Sequence, residues 1–338
     1  MRAHSFHTAT SVEDATKAGS REDAAFIAGG TNQIDHMKAG ISRPAHVVDI
    51  SDLELRSIAD RGDAVRYGTL VTNTAAAEHE LTKRHAPLIS MTIVKGATQQ
   101  IRNMATLGGN LLQGVRCPYF YDLGSACNRR QETARGPKGC TAIGGFDRLN
   151  AIFGISEHCT AANPSDMALS FAAYDVRLNL VGPGGGRTIP FAELHREPGN
   201  RPWVTNTLRP GEVIVSIDVP KSQGAGNSYY TKVRDRQSYA FATLSAAASL
   251  ALDGGTIRDA RIACGGVGSV PWRLPVLEAE LNGQSVSLDL FARVAAKAAE
   301  GAQPGTVNAF KLDLLPKIVE SSLVRAAEGT PSDPTFFA

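Results

Sequence analysis

The sequence predicts a mixed α+β fold, and three features of its residue patterning carry this prediction. Near the N-terminus a short apolar run, 24–28, leads through glycines into apolar residues at helical spacing. Segments 175–181 and 214–220 alternate apolar with polar residues, which is the period of a half-buried strand. Segments 287–300 and 309–326 are predicted as helices. Both kinds of element are therefore expected along the chain.

Length and charge narrow the class of protein. The chain has 338 residues, which is enough for two or three domains with buried cores. A formal net charge of +2 and the lack of a basic run argue against nucleic-acid binding. No stretch approaches the roughly eighteen consecutive apolar residues of a membrane-spanning helix. Residues 1–6 contain no apolar segment and no twin arginine, so we expect cytoplasmic synthesis and assembly, with any export to the periplasm depending on a signal-bearing partner.

A first glycine turn follows the N-terminal apolar run. Gly29-Gly30-Thr31-Asn32 lies between segment 24–28 and the helical spacing of Ile34, Met37 and Lys38. Backbone N–H groups can approach an anion closely at glycines, and the start of a helix favours negative charge. The pattern is not the Gly-x-Gly-x-x-Gly of a Rossmann fold. A phosphate site and an ordinary tight turn therefore both remain open from these residues.

A second turn of small residues occurs at Thr106-Leu107-Gly108-Gly109-Asn110. One such turn means little, but two in one chain suit a ligand with two phosphates that is held from two sides. A dinucleotide such as FAD meets this requirement. A third glycine-rich stretch, 182–186, lies between strand-like segments and is predicted to be a hairpin turn rather than a phosphate loop.

Four of the five cysteines lie between the second glycine turn and Asn163-Pro164-Ser165-Asp166, at positions Cys117, Cys127, Cys140 and Cys159. A chain of this length needs no disulfides to fold, so metal or redox chemistry is the stronger interpretation. Zinc sites commonly show paired Cys-x-x-Cys motifs, which these cysteines lack, whereas single cysteines from a long loop are typical of iron–sulfur sites. Zinc, disulfides and unliganded buried cysteines remain alternatives.

The residues around these cysteines would suit an iron–sulfur cluster. Four thiolates leave the cluster with net negative charge, which nearby cations would offset. The candidates for this role are Arg129, Arg130, Arg135 and Lys138. Cys264 lies far along the chain in a strand-like segment and is predicted to be a plain buried residue.

The three turns together resemble a known family. Ala28-Gly29-Gly30-Thr31, 106–110 and Pro164-Ser165-Asp166 are similar to motifs of the FAD-binding subunit of molybdenum hydroxylases, the medium-subunit family of xanthine dehydrogenase and carbon monoxide dehydrogenase. The resemblance covers nearly the whole chain. The cysteine-bearing insertion resembles a subset, above all the flavin subunit of bacterial periplasmic aldehyde oxidoreductase, through Arg116-Cys117-Pro118-Tyr119-Phe120 and Cys127-Asn128-Arg129-Arg130-Gln131. The flavin subunit of 4-hydroxybenzoyl-CoA reductase carries a similar insertion.

The resemblance implies a fold and a set of site residues. The fold would be a vanillyl-alcohol-oxidase-like (PCMH-type) two-lobed FAD-binding domain, followed by a smaller α+β domain of the carbon monoxide dehydrogenase flavoprotein C-terminal type. The glycine turns would hold FAD through Phe26, Ile27, Ala28, Gly29, Gly30, Thr31, Asn32, Gln33, Thr106, Gly108, Gly109 and Asn110. Asp166 would bond the ribityl or ring region of FAD, cap the following helix, or do both. Cys117, Cys127, Cys140 and Cys159 would hold a 4Fe-4S cluster.

Segment 232–241, rich in charges and aromatic rings, resembles the part of the family that lies beside the flavin ring. Lys232 would stabilise negative charge near the flavin N1 and O2 positions, and Tyr239 or Phe241 would shield a ring face. A solvated strand lysine is the alternative for Lys232. Tyr239 stands where some relatives carry an acidic residue that handles NAD, so NAD is the less favoured electron acceptor.

The resemblance also sets the expected domain limits. The FAD-binding domain would cover 1–225, with lobes of about 1–55 and 56–225 and the cysteine insertion at about 115–160. The C-terminal domain would cover 226–327, and the tail, 328–338, is expected to be loose.

The resemblance implies an electron-transfer subunit rather than a complete enzyme. The chain has no molybdenum-site signature and no Cys-x4-Cys-x2-Cys motif of a 2Fe-2S centre. Electrons would come from a molybdenum-cofactor large subunit through a 2Fe-2S small subunit, and would leave FAD for a quinone, ferredoxin or O2. The complex is expected to be an aldehyde oxidoreductase, with no catalytic acid or base in this chain. The alternatives are the flavin subunit of a hydroxybenzoyl-CoA-reductase-like or other xanthine-dehydrogenase-family enzyme, a self-sufficient flavin oxidoreductase, and a zinc-stabilised binding scaffold.

Overall fold

The computed structural model describes residues 2–130 and 138–335. Within these residues three separate sheets are covered by helices, so the predicted mixed α+β composition is confirmed. The strands are β1 (Ser5–Thr8), β2 (Ala24–Ile27), β3 (His46–Asp49), β4 (Ile58–Asp60), β5 (Ala64–Gly68), β6 (Arg177–Gly182), β7 (Gly185–Pro190), β8 (Val213–Pro220), β9 (Ser228–Val233), β10 (Leu244–Asp253), β11 (Thr256–Gly265) and β12 (Trp272–Arg273). The helices are α1 (Val12–Gly19), α2 (Gln33–Lys38), α3 (Asn73–Glu78), α4 (Glu80–His85), α5 (Pro87–Val94), α6 (Gln99–Met104), α7 (Leu107–Leu111), α8 (Pro118–Tyr121), α9 (Asp166–Ala173), α10 (Pro275–Leu281), α11 (Leu288–Ala295) and α12 (Phe310–Glu328).

The first sheet is small and parallel. Its strand order is β1-β3-β2, with α1 and α2 making the connections between strands. Ala15, Val48 and Leu53 are among the residues that form its buried core. The glycine turn after β2 therefore opens at the carboxyl end of a parallel strand, where ligands commonly bind in sheets of this kind.

The second sheet is antiparallel, with the strand order β4-β5-β8-β6-β7. The predicted strands 175–181 and 214–220 correspond to β6 and β8. Gly182 pairs with Gly185 in register, so 182–186 is the tight hairpin turn that was predicted. Helices α3, α5 and α9 enclose a core with this sheet, and every residue of α5 except the last is buried.

The third sheet is antiparallel, with the strand order β12-β11-β10-β9, and it packs against α10 and α12. Cys264 lies fully buried in β11, as predicted. Helix α11 is shorter than the predicted 287–300 because the chain leaves the helix in a series of turns after Ala296. The first residues of the tail are anchored to strand β9, because the Thr330 hydroxyl accepts a hydrogen bond from Ser228 N at 2.8 Å.

Helices α5 and α9 join the two halves of the chain. Helix α9 contacts α5 on one side and both β10 and β11 on the other, and α5 also contacts β9. At the start of α9, Asp166 Oδ2 lies 2.7 Å from Nζ of Lys232 in β9, and this contact brings residues from both halves into one site. None of the helices in 2–130 and 138–335 is long and apolar enough to cross a membrane.

Candidate cofactor site

Two neighbouring cavities surround the predicted glycine turns. The smaller has a volume of about 200 Å³ and lies between β2, the turn that follows it and β8. The larger has a volume of about 530 Å³ and lies between α5, α6, the start of α9 and β9. Thr31, Asn32 and Gly109 line both cavities, which therefore meet at the two glycine turns. An extended ligand could reach from one cavity into the other past both turns.

Every residue that the sequence nominated for cofactor contact lines one of these cavities. The smaller cavity is lined by Phe26, Ile27, Ala28, Gly29, Gly30, Thr31, Asn32, Gln33, Thr106, Gly108 and Gly109. The larger is lined by Asn110, Asp166, Lys232 and Tyr239 in addition to the three shared residues. The structure thus brings together residues from four distant segments, and their individual contacts with a cofactor stay a prediction.

The first glycine turn is shaped by the protein's own packing. Gly30 has φ +71°, a left-handed conformation that favours glycine. A Cβ on Gly29 would lie 1.9 Å from the Met104 carbonyl oxygen, so the turn packs directly on the end of α6. The apolar run 24–28 forms strand β2, which is only half-buried because Phe26 and Ile27 border the smaller cavity.

The second glycine turn is the first turn of helix α7 rather than a free loop. The Thr106 hydroxyl caps this helix by accepting from Gly109 N at 3.2 Å, so this N–H is not a free donor for an anion. A Cβ on Gly108 would lie 2.0 Å from Thr69 Oγ1. On Gly109 it would meet only Thr106 Oγ1, at 3.1 Å, so this glycine keeps the junction of the two cavities open.

Asp166 and Lys232 form a buried ion pair in the wall of the larger cavity. Lys232 Nζ lies 2.7 Å from Asp166 Oδ2, and the two side chains are 1% and 9% exposed. The alternative of a solvated lysine is therefore wrong. The predicted role of Lys232 beside the flavin N1 and O2 positions stays a prediction, and the structure adds that Asp166 balances its charge. Asp166 does not cap α9 either, since the Ser165 hydroxyl caps it by accepting from Ala168 N at 3.1 Å.

Further groups from β9 and α5 complete this wall. The Tyr230 hydroxyl donates to Asp166 Oδ1 at 2.6 Å, and burial, reinforced by the charge of Asp166, raises the pKa of Tyr230 well above its ordinary value. Lys232 Nζ also donates to the Lys95 carbonyl oxygen at 2.9 Å. Burial, together with the nearby charges of Arg234 and Lys232, lowers the pKa of the Lys95 ammonium to about 8. Both oxygens of the Asp166 carboxylate are thus engaged by donors.

Two lining residues were missed by sequence reasoning. The Oδ1 atom of Asn73 is buried and has no hydrogen-bond partner in the described part of the chain, which leaves an acceptor available at the larger cavity. The Arg116 guanidinium lines the same cavity and lies 4.5 Å from the centroid of the Phe241 ring. Asn73 belongs to no recognisable motif, and Arg116 stands in a run that carries the resemblance but gave it no role at the flavin, so only the fold reveals that both residues line the cavity. Tyr239 is 59% exposed at the outer edge, with the Arg236 guanidinium 5.6 Å from its ring centroid.

The four clustered cysteines line a third, much smaller cavity. Cys117, Cys127, Cys140 and Cys159 all contact a space of about 10 Å³, and all five cysteines of the chain are free thiols. Cys127 and Cys140 are brought together by an isolated antiparallel bridge. Burial raises the pKa of Cys117 to about 11 and also raises the pKa of Cys140, so these thiols are protonated at neutral pH.

The cysteine cavity is not a preformed metal site. Among the described residues, no group of three or more His, Cys, Asp or Glu side chains is placed to hold a metal ion. A volume of about 10 Å³ holds at most one water molecule, so a cluster would require the thiols to move apart. The donor chemistry nevertheless suits iron–sulfur, since four thiols from one loop face a common space.

The basic residues near the cysteines differ in their positions and in their hydrogen-bond partners. Arg129 lines the cysteine cavity, and its Nε is buried without a hydrogen-bond partner in the ranges that the structure describes. Arg130 donates to the carbonyl oxygens of Tyr119 and Asp122 at 3.1 and 2.8 Å and so holds the loop folded, while its predicted role in offsetting cluster charge stays a prediction. Lys138 is exposed. Arg135 lies outside the described residues.

Two cavities that meet at two glycine turns, with a buried ion pair and aromatic rings in the wall of the larger one, suit an extended ligand such as a dinucleotide. Comparison with protein families gives the class of this protein. Residues 2–222 match the FAD binding domain in molybdopterin dehydrogenase, and residues 228–321 match the CO dehydrogenase flavoprotein C-terminal domain. The chain belongs to the family of FAD-binding medium subunits of xanthine and carbon monoxide dehydrogenases, as its resemblance predicted.

Similar curated proteins are oxidoreductase subunits. The aldehyde oxidoreductase FAD-binding subunit PaoB of Escherichia coli (strain K12) is 40% identical over 96% of this chain and 99% of its own length. The putative xanthine dehydrogenase FAD-binding subunit XdhB of the same organism is 27% identical over 85% of this chain and 81% of its own length. This chain is therefore also an oxidoreductase subunit that uses FAD.

Solved structures share the fold. Carbon monoxide dehydrogenase from Oligotropha carboxidovorans matches with a TM-score of 0.74 at 22% identity, covering 96% of this chain and 98% of that chain. Quinoline 2-oxidoreductase from Pseudomonas putida 86 matches with a TM-score of 0.73 at 20% identity, covering 96% of both chains. The predicted fold is confirmed, and at these identities the likeness carries the fold alone.

Proposed function

We propose that this chain is the FAD and iron–sulfur electron-transfer subunit of a molybdenum-containing aldehyde oxidoreductase. The observation that carries the aldehyde assignment is 40% identity, from end to end, to a subunit named as the FAD-binding part of an aldehyde oxidoreductase. The two joined cavities support the flavin part of the proposal. The four thiols around one space support the iron–sulfur part.

The residues of this chain bind and orient the cofactor. When bound, FAD supplies the redox chemistry that the protein side chains lack. Gly109 leaves room at the junction of the cavities, and Asn73 Oδ1 offers an unused acceptor. The Asp166–Lys232 pair gives the larger cavity a polar wall without net charge. No side chain in this arrangement is required to act as a general acid or base.

The cluster is proposed to be 4Fe-4S, with Cys117, Cys127, Cys140 and Cys159 as ligands. Single cysteines without a paired zinc motif favour iron–sulfur over zinc. Metal binding would displace the protons of the buried thiols. It would also move the four cysteine side chains apart from their present packing. Iron analysis and visible absorbance of the purified chain test this part, with about four irons per chain expected. A purified chain that contains flavin but no iron would refute the proposed cluster and leave the FAD assignment intact. Zinc in place of iron would indicate a structural metal site.

The proposed partners are a molybdenum-cofactor large subunit and a 2Fe-2S small subunit. Several relatives are named as medium chains or medium subunits, including those of carbon monoxide dehydrogenase and nicotine 6-hydroxylase, which supports a multi-subunit enzyme. The electrons would leave FAD for a quinone, ferredoxin or O2. Some relatives carry at position 239 an acidic residue that handles NAD, whereas this chain has Tyr239, which is exposed at the outer edge of the cavity. NAD is therefore the less favoured electron acceptor.

One purification tests the whole proposal. The full chain carrying an affinity tag is isolated from its native host, and FAD, iron, molybdenum and zinc are measured in the same sample. We expect two further polypeptides, molybdenum and aldehyde-dependent reduction of the flavin. The chain produced alone should contain FAD but oxidise no aldehyde. Turnover of an aldehyde by the isolated chain would replace this proposal with a self-sufficient flavin oxidoreductase.

A further inference from the structure

Arg116 lies between the larger cavity and the cysteine cavity. Its side chain lines the larger cavity, and the next residue is Cys117, which lines the cysteine cavity. The guanidinium is held over the Phe241 ring at 4.5 Å, so it also contacts the C-terminal half of the chain. Arg116 therefore links the wall of the larger cavity directly to the first cysteine of the cysteine cavity.

One arm of the guanidinium is bonded towards the second glycine turn. Arg116 Nη2 donates to Gln113 Oε1 at 3.1 Å, and Gln113 Nε2 donates to Asn110 Oδ1 at 2.8 Å. The same Asn110 oxygen accepts from the Ser165 hydroxyl at 2.7 Å. Arg116 is thus connected through two side chains to the turn that precedes Asp166.

The other arm is bonded towards the first glycine turn. Arg116 Nη1 donates to the Tyr121 hydroxyl oxygen at 2.8 Å, and that oxygen lies 3.3 Å from His36 Nε2. Because the Tyr121 oxygen accepts from Arg116, its own proton is free to point at His36. Asn32 Nδ2 lies 3.4 Å from the same His36 nitrogen, and Asn32 Oδ1 accepts from Gly114 N at 2.8 Å.

This second arm requires a neutral His36 whose Nε2 accepts hydrogen bonds. Burial, and after it the positive charge of Arg116, lower the pKa of His36 to about 4. The ring is therefore neutral at physiological pH, and the arrangement of donors around it is stable there. The two arms together tie both glycine turns to the first residues of the cysteine loop.

The charge of Arg116, which is partly buried, is balanced differently from that of the buried Lys232 in the same cavity. Lys232 is matched by Asp166, whereas no carboxylate lies within ion-pair distance of Arg116 in the described residues. Its Nε is buried without a hydrogen-bond partner in those residues. A partly buried positive charge without a carboxylate partner favours the more negative form of a neighbouring ligand. Reduced flavin carries more negative charge than oxidised flavin.

We propose that Arg116 is a positioning residue for the flavin that joins the cysteine loop to both glycine turns and whose charge raises the flavin reduction potential. This inference rests on the proposed function, because it requires FAD in the larger cavity. Two separable properties follow. The charge sets the preference for reduced over oxidised flavin, and the forked hydrogen bonds set the affinity for both forms.

The test compares three variants of the full chain purified with its partners. In Arg116→Gln we expect reduced FAD to be weakened about tenfold more than oxidised FAD, which lowers the potential of the two-electron couple by about 30 mV. In Arg116→Lys we expect the potential to recover but the FAD affinity to stay low, because an ammonium cannot replace the planar fork between Tyr121 and Gln113. Arg258→Gln is the matched control, since Arg258 pairs with Asp253 and neither of these two residues lines either cavity.

The measurements are the flavin potential by spectroelectrochemistry and the FAD dissociation constant by fluorescence. A potential in Arg116→Gln equal to that of Arg258→Gln would overturn the electrostatic role. Unchanged FAD affinity in Arg116→Gln would overturn the positioning role. Should Arg116→Gln fail to fold, Tyr121→Phe keeps the charge and removes one bond, and FAD binding as tight as in the parent would refute the positioning role. A parent chain without FAD would instead refute the proposed function.

Discussion

Lys232 Nζ lies 2.7 Å from Asp166 Oδ2, and this contact joins strand β9 of the C-terminal domain to the first residue of α9 in the FAD-binding domain. Both side chains are buried, and both carboxylate oxygens of Asp166 are bonded, one to Lys232 and one to Tyr230. The pair therefore serves the cavity as a neutral, fixed polar wall. It also connects the two domains at the place where they share the cavity.

Asp166→Asn should destabilise the chain, because it leaves a buried ammonium without its counter-charge. We expect the free energy of unfolding of the FAD-free protein to fall by about 3 kcal/mol, as for other broken buried pairs. Urea unfolding measures this change. The control is Asp253→Asn, which breaks a pair with Arg258 whose side chains are 69% and 61% exposed and should cost less than about 1 kcal/mol. Equal losses in the two variants would contradict the role given to the pair.

Gly109→Ala should impair FAD binding without harming the fold. The new methyl group would stand in the junction of the two cavities, while alanine favours the α7 helix by about 1 kcal/mol relative to glycine. We expect FAD affinity to fall by about tenfold, or about 1.4 kcal/mol of binding free energy. Fluorescence titration of the FAD-free protein measures the affinity, and thermal unfolding checks the fold.

Gly29→Ala provides the contrast to that variant. Its methyl group would collide with the Met104 carbonyl oxygen, which belongs to the backbone and cannot swing aside. We expect a lower yield of folded protein rather than a selective loss of FAD. Parent-like FAD affinity in Gly109→Ala would show that the ligand does not pass through the junction.

Cys127→Ala should abolish iron binding while most FAD is retained, because the glycine turns make no use of Cys127. The matched control is Cys264→Ala, which removes a thiol buried in β11 and should leave the iron content unchanged. Iron analysis measures the loss of the metal, and the flavin absorbance of the same samples measures how much FAD is retained. Parent-level iron in Cys127→Ala would refute the proposed ligand set.

Acidification should weaken the fold through His36. Its pKa is about 4 in the folded chain and about 6.5 when unfolded, so between these values the unfolded chain binds the extra proton and stability falls as pH falls. Between pH 7 and pH 5 this effect amounts to about 2 kcal/mol. Urea unfolding at both pH values measures it, with His36→Gln as the comparison. An equal loss in the parent and in His36→Gln would show that another group is responsible.

The sequence predicted local features well, because each depends on neighbouring residues. The glycine turns, the alternating strands β6 and β8 and the hairpin at 182–186 are of this kind. Helix α7 was missed because two glycines argue against a helix, and the Thr106 cap that offsets them is a weak signal by itself.

Contacts between distant segments escaped prediction for a physical reason. The pairing of Asp166 with Lys232 depends on α9 lying beside β9, which no local pattern encodes. Arg130 was placed among cluster cations by its position in the chain, yet its guanidinium is directed to the carbonyl oxygens of its own loop. The place of Arg116 between two sites depends in the same way on tertiary packing.

The larger cavity takes its walls from 31–35 at one end of the chain and from 232–241 near the other. A chain that is still being synthesised has its glycine turns long before it has these later walls. The larger cavity is therefore complete only after β9 and the segment that follows it have been synthesised and have packed in place. A chain that stops before β9 would have both glycine turns and the smaller cavity but would lack this wall of the larger one.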